Sequence, residues 1–364
     1  MENIQKIKLG LVVPPAEYIE LLKTGFKSID KQFLGVRKVK FLAPQFEGLE
    51  VDFEITDVVV QAEACTAIVD EAIDDNLVLN PTIIKKDLVY ICIDMGGGTT
   101  DFCAVQGIKF LGGTEKTEYH GVNDTLGEIA EIIKQRYSLK TDIPVSLVNQ
   151  TIRYKNNTLP NGIEEINITD IVEEVFEKVT DKVMDILIKY KDNILKQRGI
   201  SDTQLAGVVL VGGGAEMYET ILIDKVQKFL GDKKVVIKTE QSIWKTNNGL
   251  SKLIVYSDKQ QNKQNNFDKY VFLDVGNSST KAKICDLDGK KLSRVELLTQ
   301  SATPAPRSLI ELETAKEMSD LELEIINTNN AGNKGFGRYA VSKLANTGLD
   351  KKSRVSSTDR KSVV

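Results

Sequence analysis

The residues best suited to chemistry lie in three short runs, each following a stretch of apolar, strand-like residues. Asp94 precedes Gly96, Gly97, Gly98, Thr99 and Thr100. Asp274 precedes Gly276, Asn277, Ser278, Ser279, Thr280 and Lys281. Val211 leads into Gly212, Gly213 and Gly214. A tight turn of glycines and hydroxyl residues exposes successive backbone N–H groups, and these form a concave nest for phosphate oxygens. The hydroxyls of Thr99, Thr100, Ser278, Ser279 and Thr280 add donors, and Lys281 adds a point charge that can reach a phosphate. Two such turns facing one another could clamp one polyphosphate from both sides. Carboxylates would repel phosphate, so Asp94 and Asp274 make sense as holders of a hydrated Mg2+, directly or through water. The third run joins a strand to a helix, where glycine lets a flat ring or a phosphate approach the backbone closely. None of the three matches G-x-x-x-x-G-K-[ST] or G-x-G-x-x-G, so a P-loop or Rossmann nucleotide site is not supported.

The elements that must position these residues can be read from apolar periodicity. Lys6 to Val13 reads as a buried strand stopped by Pro14 and Pro15, and Ala16 to Phe33 has helical spacing. Val36 to Leu42 and Val51 to Val60 read as strands, followed by a short helix over Cys65 to Asp74. Residues 88–105 and 270–292 each read as a strand, a small-residue turn and a second strand, a weak internal repeat. Asn123 or Asp124 could cap a helix running to Tyr137. Residues 169–198 carry one amphipathic stripe ending before Gly199, and the spacing predicts a further helix from Glu216 to Leu230. The polar segment 257–269 reads as a linker or surface tail.

Composition narrows the classes. A hydrophobic content of 41%, a charged content of 27% and a net charge of -4 are ordinary for a globular protein of two domains, and they argue against nucleic-acid binding through a basic surface. Cys65, Cys92, Cys103 and Cys285 form no C-x-x-C pair, which speaks for buried thiols in a reducing cytoplasm rather than a disulfide framework or zinc site. With His120 as the only histidine, Ser-His-Asp chemistry and multi-histidine metal sites are nearly excluded, and His120 itself reads as structural. The first residues lack the features of a signal peptide, and no apolar run reaches the length of a membrane span.

Together the motifs carry a family resemblance. DMGGGTTDF (94–102) resembles the second phosphate motif of the superfamily of actins, sugar kinases and heat-shock chaperone ATPases. VVLVGGGAEMY (208–218) resembles its adenosine motif, and DVGNSSTK (274–281) its first phosphate motif. Within the superfamily the pattern is most similar to ParM-like plasmid-segregation actins, through GLVVPPAEYIELL (10–22), VVVQAEACTAI (58–68) and HGVNDTLGEIA (120–130). Family members begin with the first phosphate motif. Here it comes last, so the order looks circularly permuted, with the old ends joined through 257–269.

The resemblance implies an α/β, actin-like fold of two RNase H-like domains flanking a nucleotide cleft. Domain I would be discontinuous, 1–75 plus 250–364, and domain II would span 76–249. It implies an ATPase that binds ATP/ADP and Mg2+. Glu63 would orient the water that attacks the γ-phosphate, Asp94 would act with it, and Asp94 and Asp274 would manage the metal and its waters. Gly212 to Gly214, Glu216 and Met217 would lie against the adenosine, and Asn247-Asn248-Gly249 is similar to an Asn-Gly element near the base. Implied partners are other copies of the chain in a head-to-tail filament and a DNA-binding adaptor for plasmid segregation. No direct nucleic-acid contact and no membrane are expected, and the setting is cytoplasmic. The alternatives are a non-polymerising small-molecule kinase, for which no convincing catalytic aspartate is found, or a scaffold of the same fold.

Overall fold

The computed structural model describes residues 4–41, 50–85, 87–153, 157–161, 164–231, 234–237, 242–261, 266–275, 279–298 and 321–325. Its elements run in the order β1 (Gln5–Val13), α1 (Pro15–Thr24), α2 (Lys27–Phe33), β2 (Gly35–Phe41), β3 (Glu50–Ala62), α3 (Glu63–Ala72), β4 (Val89–Met95), β5 (Thr100–Gln106), β6 (Lys109–Phe110) and β7 (Lys116–Glu118). Then come α4 (Val122–Arg136), α5 (Val145–Arg153), β8 (Thr158–Asn161), β9 (Glu164–Asn167) and α6 (Thr169–Lys189), which continues as π-helical turns over Tyr190–Leu195. The rest are β10 (Leu205–Val211), α7 (Gly213–Met217), α8 (Glu219–Leu230), β11 (Val235–Ile237), α9 (Ser242–Gln260), β12 (Lys269–Val275), β13 (Ser279–Cys285), β14 (Lys291–Leu298) and β15 (Leu321–Ile325). The chain forms two compact units. One comprises Met1–Ile84, Ile108–Gly112 and Trp244–Val364, the other Lys85–Gly107 and Gly113–Ile243.

The first unit is built on a sheet of order β14-β13-β12-β1-β3-β2-β15. Strands β12, β1 and β3 are parallel, and β12, β13 and β14 form an antiparallel meander. Strand β1 reads as a continuous apolar run because both its faces are covered. Its odd residues Ile7, Leu9, Leu11 and Val13 pack with Leu21, Ile29 and Phe33 of α1 and α2. Val12 packs on the other face with Leu250, Ile254 and Val255 of α9. Gly10 faces the same way, and a side chain there would meet the Phe272 ring at 2.6 Å. Lys8, also on that face, is buried between Asp57 and Asp258, at 2.9 Å from each, and Tyr270 donates to Asp258 at 3.0 Å. Helices α3 and α9 meet closely: a Cβ on Gly249 would stand 1.7 Å from the Thr66 carbonyl oxygen. Asp70 ties them together, with Lys245 at 3.3 Å and Lys252 at 2.7 Å.

The second unit has β11, β10 and β4 parallel, β5 antiparallel to β4, and β7 antiparallel to β5. Strands β4 and β10 are buried nearly throughout. Helix α6 places Ile171, Val172, Val175, Phe176, Val179 and Val183 in the core, the stripe read from the sequence. Gly199 follows in the left-handed region, φ 72°. Both units therefore share a layout in which an antiparallel meander is flanked by parallel strands on the side of its first strand. In the second unit the meander comes first along the chain, whereas in the first unit it follows β1, β2 and β3.

Four local expectations need correction. The helical stretch 16–33 is two helices, because Gly25 breaks it at φ 82°. The helix expected over 216–230 is α7 followed by α8, with a bend at Tyr218. The cap of α4 is Gly121. Asp124 sits three positions on, and its carboxylate accepts from the Gly121 N–H at 2.8 Å. The segment 257–269 is not all linker, since α9 extends to Gln260. That helix escaped the periodicity because Ser242, Lys245, Thr246, Asn247, Ser251 and Asp258 are buried along with Trp244, Leu250, Ile254 and Val255. Residues 346–364, a polar and basic stretch with few apolar anchors, lie outside the described residues.

Candidate functional site

Parallel strands deliver their C-terminal ends to one sheet edge, the usual place for ligands in open α/β sheets. In the second unit that edge gathers two of the three runs. Asp94 is the next-to-last residue of β4, 8% exposed, and stands opposite Asp101 of β5, as Met95 does opposite Thr100. Asp94 is also level with Val211, the last residue of β10. Gly212 follows at φ 87°, so close that a Cβ there would lie 2.5 Å from Asp94 Oδ1 and 2.6 Å from the Met95 oxygen. Gly214 packs the same way on Met95. The turn 96–99 is closed by the Gly96 N–H donating to the Thr99 carbonyl at 2.9 Å. Thr99 and Thr117 both donate to the Asp101 carboxylate, and Thr100 Oγ1 donates to the His120 carbonyl at 2.9 Å. Glu216 is exposed and Met217 half-buried on α7.

In the first unit Asp274 is again the next-to-last residue of its strand, 3% exposed. It stands opposite Lys281, as Val275 does opposite Thr280. The register of the two hairpins is the same, residue for residue. The chemistry differs: Asp94 faces a second carboxylate, whereas Asp274 faces an ammonium, with Lys281 Nζ 3.2 Å from Asp274 Oδ2. Leu11 pairs with Leu273, and Val13 with Ala62, so β1 and β3 end on the same edge. Glu63 therefore opens α3 at that edge, two strands from Asp274, roughly 10 Å of backbone spacing. The Glu63 carbonyl accepts from Thr66 Oγ1 at 3.1 Å. Asn247, fully buried, donates to the carbonyls of Phe272 and Lys281 at 3.1 and 3.2 Å, which pins α9 beneath the hairpin. Asn247 and Gly249 thus serve helix packing in the first unit, while Gly212–Gly214 belong to the second.

Gly276, Asn277 and Ser278 lie outside the described residues, and Ser279 and Thr280 are described as the backbone opening of β13. Sequence reasoning missed Asp101. The signal was present, since Asp101 follows Asp94 by the same seven positions that separate Lys281 from Asp274. Hard carboxylate oxygens of this kind suit Mg2+, which keeps several waters and takes one or two carboxylates plus substrate phosphates. Among the described residues no cluster of three or more metal-ligating side chains forms. No helix among them is long and apolar enough to cross a membrane.

Two α/β units, each with an aspartate-bearing hairpin at the C-terminal edge of a mixed sheet, define the actin-like fold, and this chain has it. Residues 92–224 match the family model of the C-terminal part of the archaeal actin homologue MreB-like. Among solved structures the chain is similar to Ta0583, an archaeal actin homologue, at 14% identity, covering 72% of each chain with a TM-score of 0.53. It is also similar to a non-polymerisable quadruple mutant of pCBH ParM, at 12% identity, covering 72% of this chain and 70% of that one with a TM-score of 0.51. Bacillus thuringiensis ParM with ATP aligns at 20% identity, covering 70% and 69%, with a TM-score of 0.48. No curated protein matches.

Proposed function

We propose that this chain is an actin-like ATPase that binds ATP with Mg2+ and couples its hydrolysis to assembly into filaments. The observation that carries this is the matched pair of hairpins, each with a buried aspartate in the same register at a C-terminal strand edge. Each hairpin carries groups suited to a nucleotide's phosphates. The turn 96–99 supplies backbone donors, Lys281 supplies a positive charge, and Gly212 to Gly214 give the adenosine a side-chain-free approach. Bound Mg2+ would neutralise charge on the phosphates, with Asp94 and Asp274 holding its waters. Glu63, at the first position of α3, would orient the attacking water, and positioning would account for most of the rate. The late position of the meander in the first unit supports reading the chain as a circularly permuted member of this fold. Filaments would act on plasmid DNA through a DNA-binding adaptor, since the net charge of -4 does not favour direct contact.

The test is nucleotide-dependent sedimentation with parallel measurement of phosphate release. The chain is expected to pellet with ATP and Mg2+, and not with ADP. Glu63→Ala should bind ATP normally but hydrolyse it slower by about a hundredfold or more. Unchanged turnover would remove Glu63 from the mechanism, and a chain that stays monomeric with every nucleotide would remove the filament.

A further inference from the structure

The turn 96–99 is held from behind by the start of α4. The Val122 N–H donates to the Gly96 carbonyl at 3.0 Å and the Asn123 N–H donates to the Gly97 carbonyl at 2.9 Å. These are N–H groups that a helix start leaves without intrahelical partners. Their positive end is therefore spent on the turn. Gly121 makes the approach possible. A Cβ there would stand 2.5 Å from the Gly97 carbonyl carbon and oxygen and 2.6 Å from the Gly98 nitrogen. The segment is anchored on both sides, because Thr100 Oγ1 holds the His120 carbonyl and Tyr218 Oη donates to Thr125 Oγ1 at 2.8 Å. A side chain at Gly214 would meet Val122 Cγ2 at 3.1 Å, so Val122 also abuts the third glycine run.

The consequence follows from peptide planarity. In a trans peptide the C=O and the next N–H point in opposite directions. There is no cis peptide bond among the described residues. Fixing the Gly96 and Gly97 carbonyls toward α4 turns the Gly97 and Gly98 N–H groups away from it, and neither of those N–H groups donates to a backbone or side-chain acceptor among the described residues. Each also lies in a chain of hydrogen bonds that begins at the helix terminus, and such chains polarise the outer donor.

We infer that Gly121, Val122 and Asn123 are positioning residues that aim and polarise the Gly97 and Gly98 N–H groups as the anion donors of the turn. This rests on the nucleotide-binding reading above and says which atoms of the turn perform it. Val122 is the first helical position, where proline is well accommodated, and Gly121 before it is already extended at φ -124° and ψ -171°. Val122→Pro is compatible with the helix start, but it removes one N–H and turns the ring's Cδ toward the Gly96 carbonyl, so the turn must shift. Its thermal midpoint without nucleotide should fall by several degrees, and its affinity for ADP, measured well below that midpoint, should fall about tenfold, as for a mis-aimed donor to a charged group. Val122→Ala keeps the N–H and loses side-chain packing, so its midpoint should drop while its ADP affinity stays within about twofold. Residue-resolved amide exchange supplies a second measurement on the unaltered chain. Val122 and Asn123 amides should be protected before nucleotide is added, and Gly97 and Gly98 amides only after ADP binds. Full ADP affinity in Val122→Pro, or Gly97 and Gly98 amides indifferent to ADP, overturns the inference alone. An unaltered chain that binds no ADP or ATP overturns it together with the nucleotide-binding reading.

Discussion

Gly212 and Gly213 are adjacent and chemically identical, yet the structure demands opposite outcomes when each is changed to alanine. Gly212 has φ 87° and ψ 173°, a region closed to residues with a Cβ. Entering it costs a side chain about 1–3 kcal/mol. The new Cβ would also stand 2.5 Å from Asp94 Oδ1, 2.6 Å from the Met95 oxygen and 2.9 Å from the Met95 carbonyl carbon. Two of those three atoms are backbone of a central strand and cannot swing aside, so overpacking adds about 1–3 kcal/mol. The sum, about 4 kcal/mol, is a large part of the stability of an ordinary domain. At Gly213 a Cβ meets nothing within 4 Å, and the residue opens α7. Alanine there should be neutral or stabilise by about 0.4–1 kcal/mol, through the lost freedom of the unfolded chain. Thermal unfolding followed by far-ultraviolet circular dichroism would read the contrast. For a unit of this size each kcal/mol moves the midpoint by about 2–4 °C, so Gly212→Ala should melt roughly 10 °C lower and Gly213→Ala no lower than the unaltered chain. Two variants melting together would refute the reasoning, because it would mean that β10 does not enter α7 against the end of β4.

Three further outcomes are expected. Lys8→Met leaves Asp258 buried without its cation and should cost about 3–5 kcal/mol in denaturant unfolding, and adding Asp258→Leu should recover part of it, a coupling that a double-mutant cycle measures. His120 is depressed below its ordinary 6.5 by burial and by Lys182 and Lys178, against the opposing pull of Asp124 and Glu128. The unfolded ring then binds protons more readily, so this contribution to stability is present above pH 6.5 and is lost as pH falls below it. The unaltered chain should lose more stability between pH 7 and pH 5 than His120→Asn, and equal losses would contradict this. Lys281→Met, which takes away the ammonium beside Asp274, should weaken ADP binding by about ten- to a hundredfold while leaving adenosine binding nearly unchanged, as calorimetry can show.

Much of the site was legible before any coordinates. Asp94, Asp274 and the glycine runs could be found because each follows an apolar strand long enough to recognise, and a strand's end dictates where its next residue emerges. The hairpins were equally legible, since their strands and turns are local in sequence. Asp101 was overlooked although its spacing from Asp94 repeats that of Lys281 from Asp274. Helix α9 was obscured because its buried face is half polar: Asn247 bonds the backbone of β12 and β13, and Lys245 and Lys252 meet Asp70. Periodicity detects only faces that bury apolar groups, whereas a face that buries polar groups looks like surface.

By itself the sequence determined which residues could bind phosphate, which strands carry them, and the order in which the motifs occur. Tertiary structure alone decided that Asp94 and Asp274 share one register, that Gly212 closes on Asp94, and that α4 grips the turn through Gly96 and Gly97. The physical reason is range. Strand and turn preferences act over a few residues, but strand register and the approach of one backbone to another depend on side chains more than a hundred positions apart, as with Gly212 and Asp94.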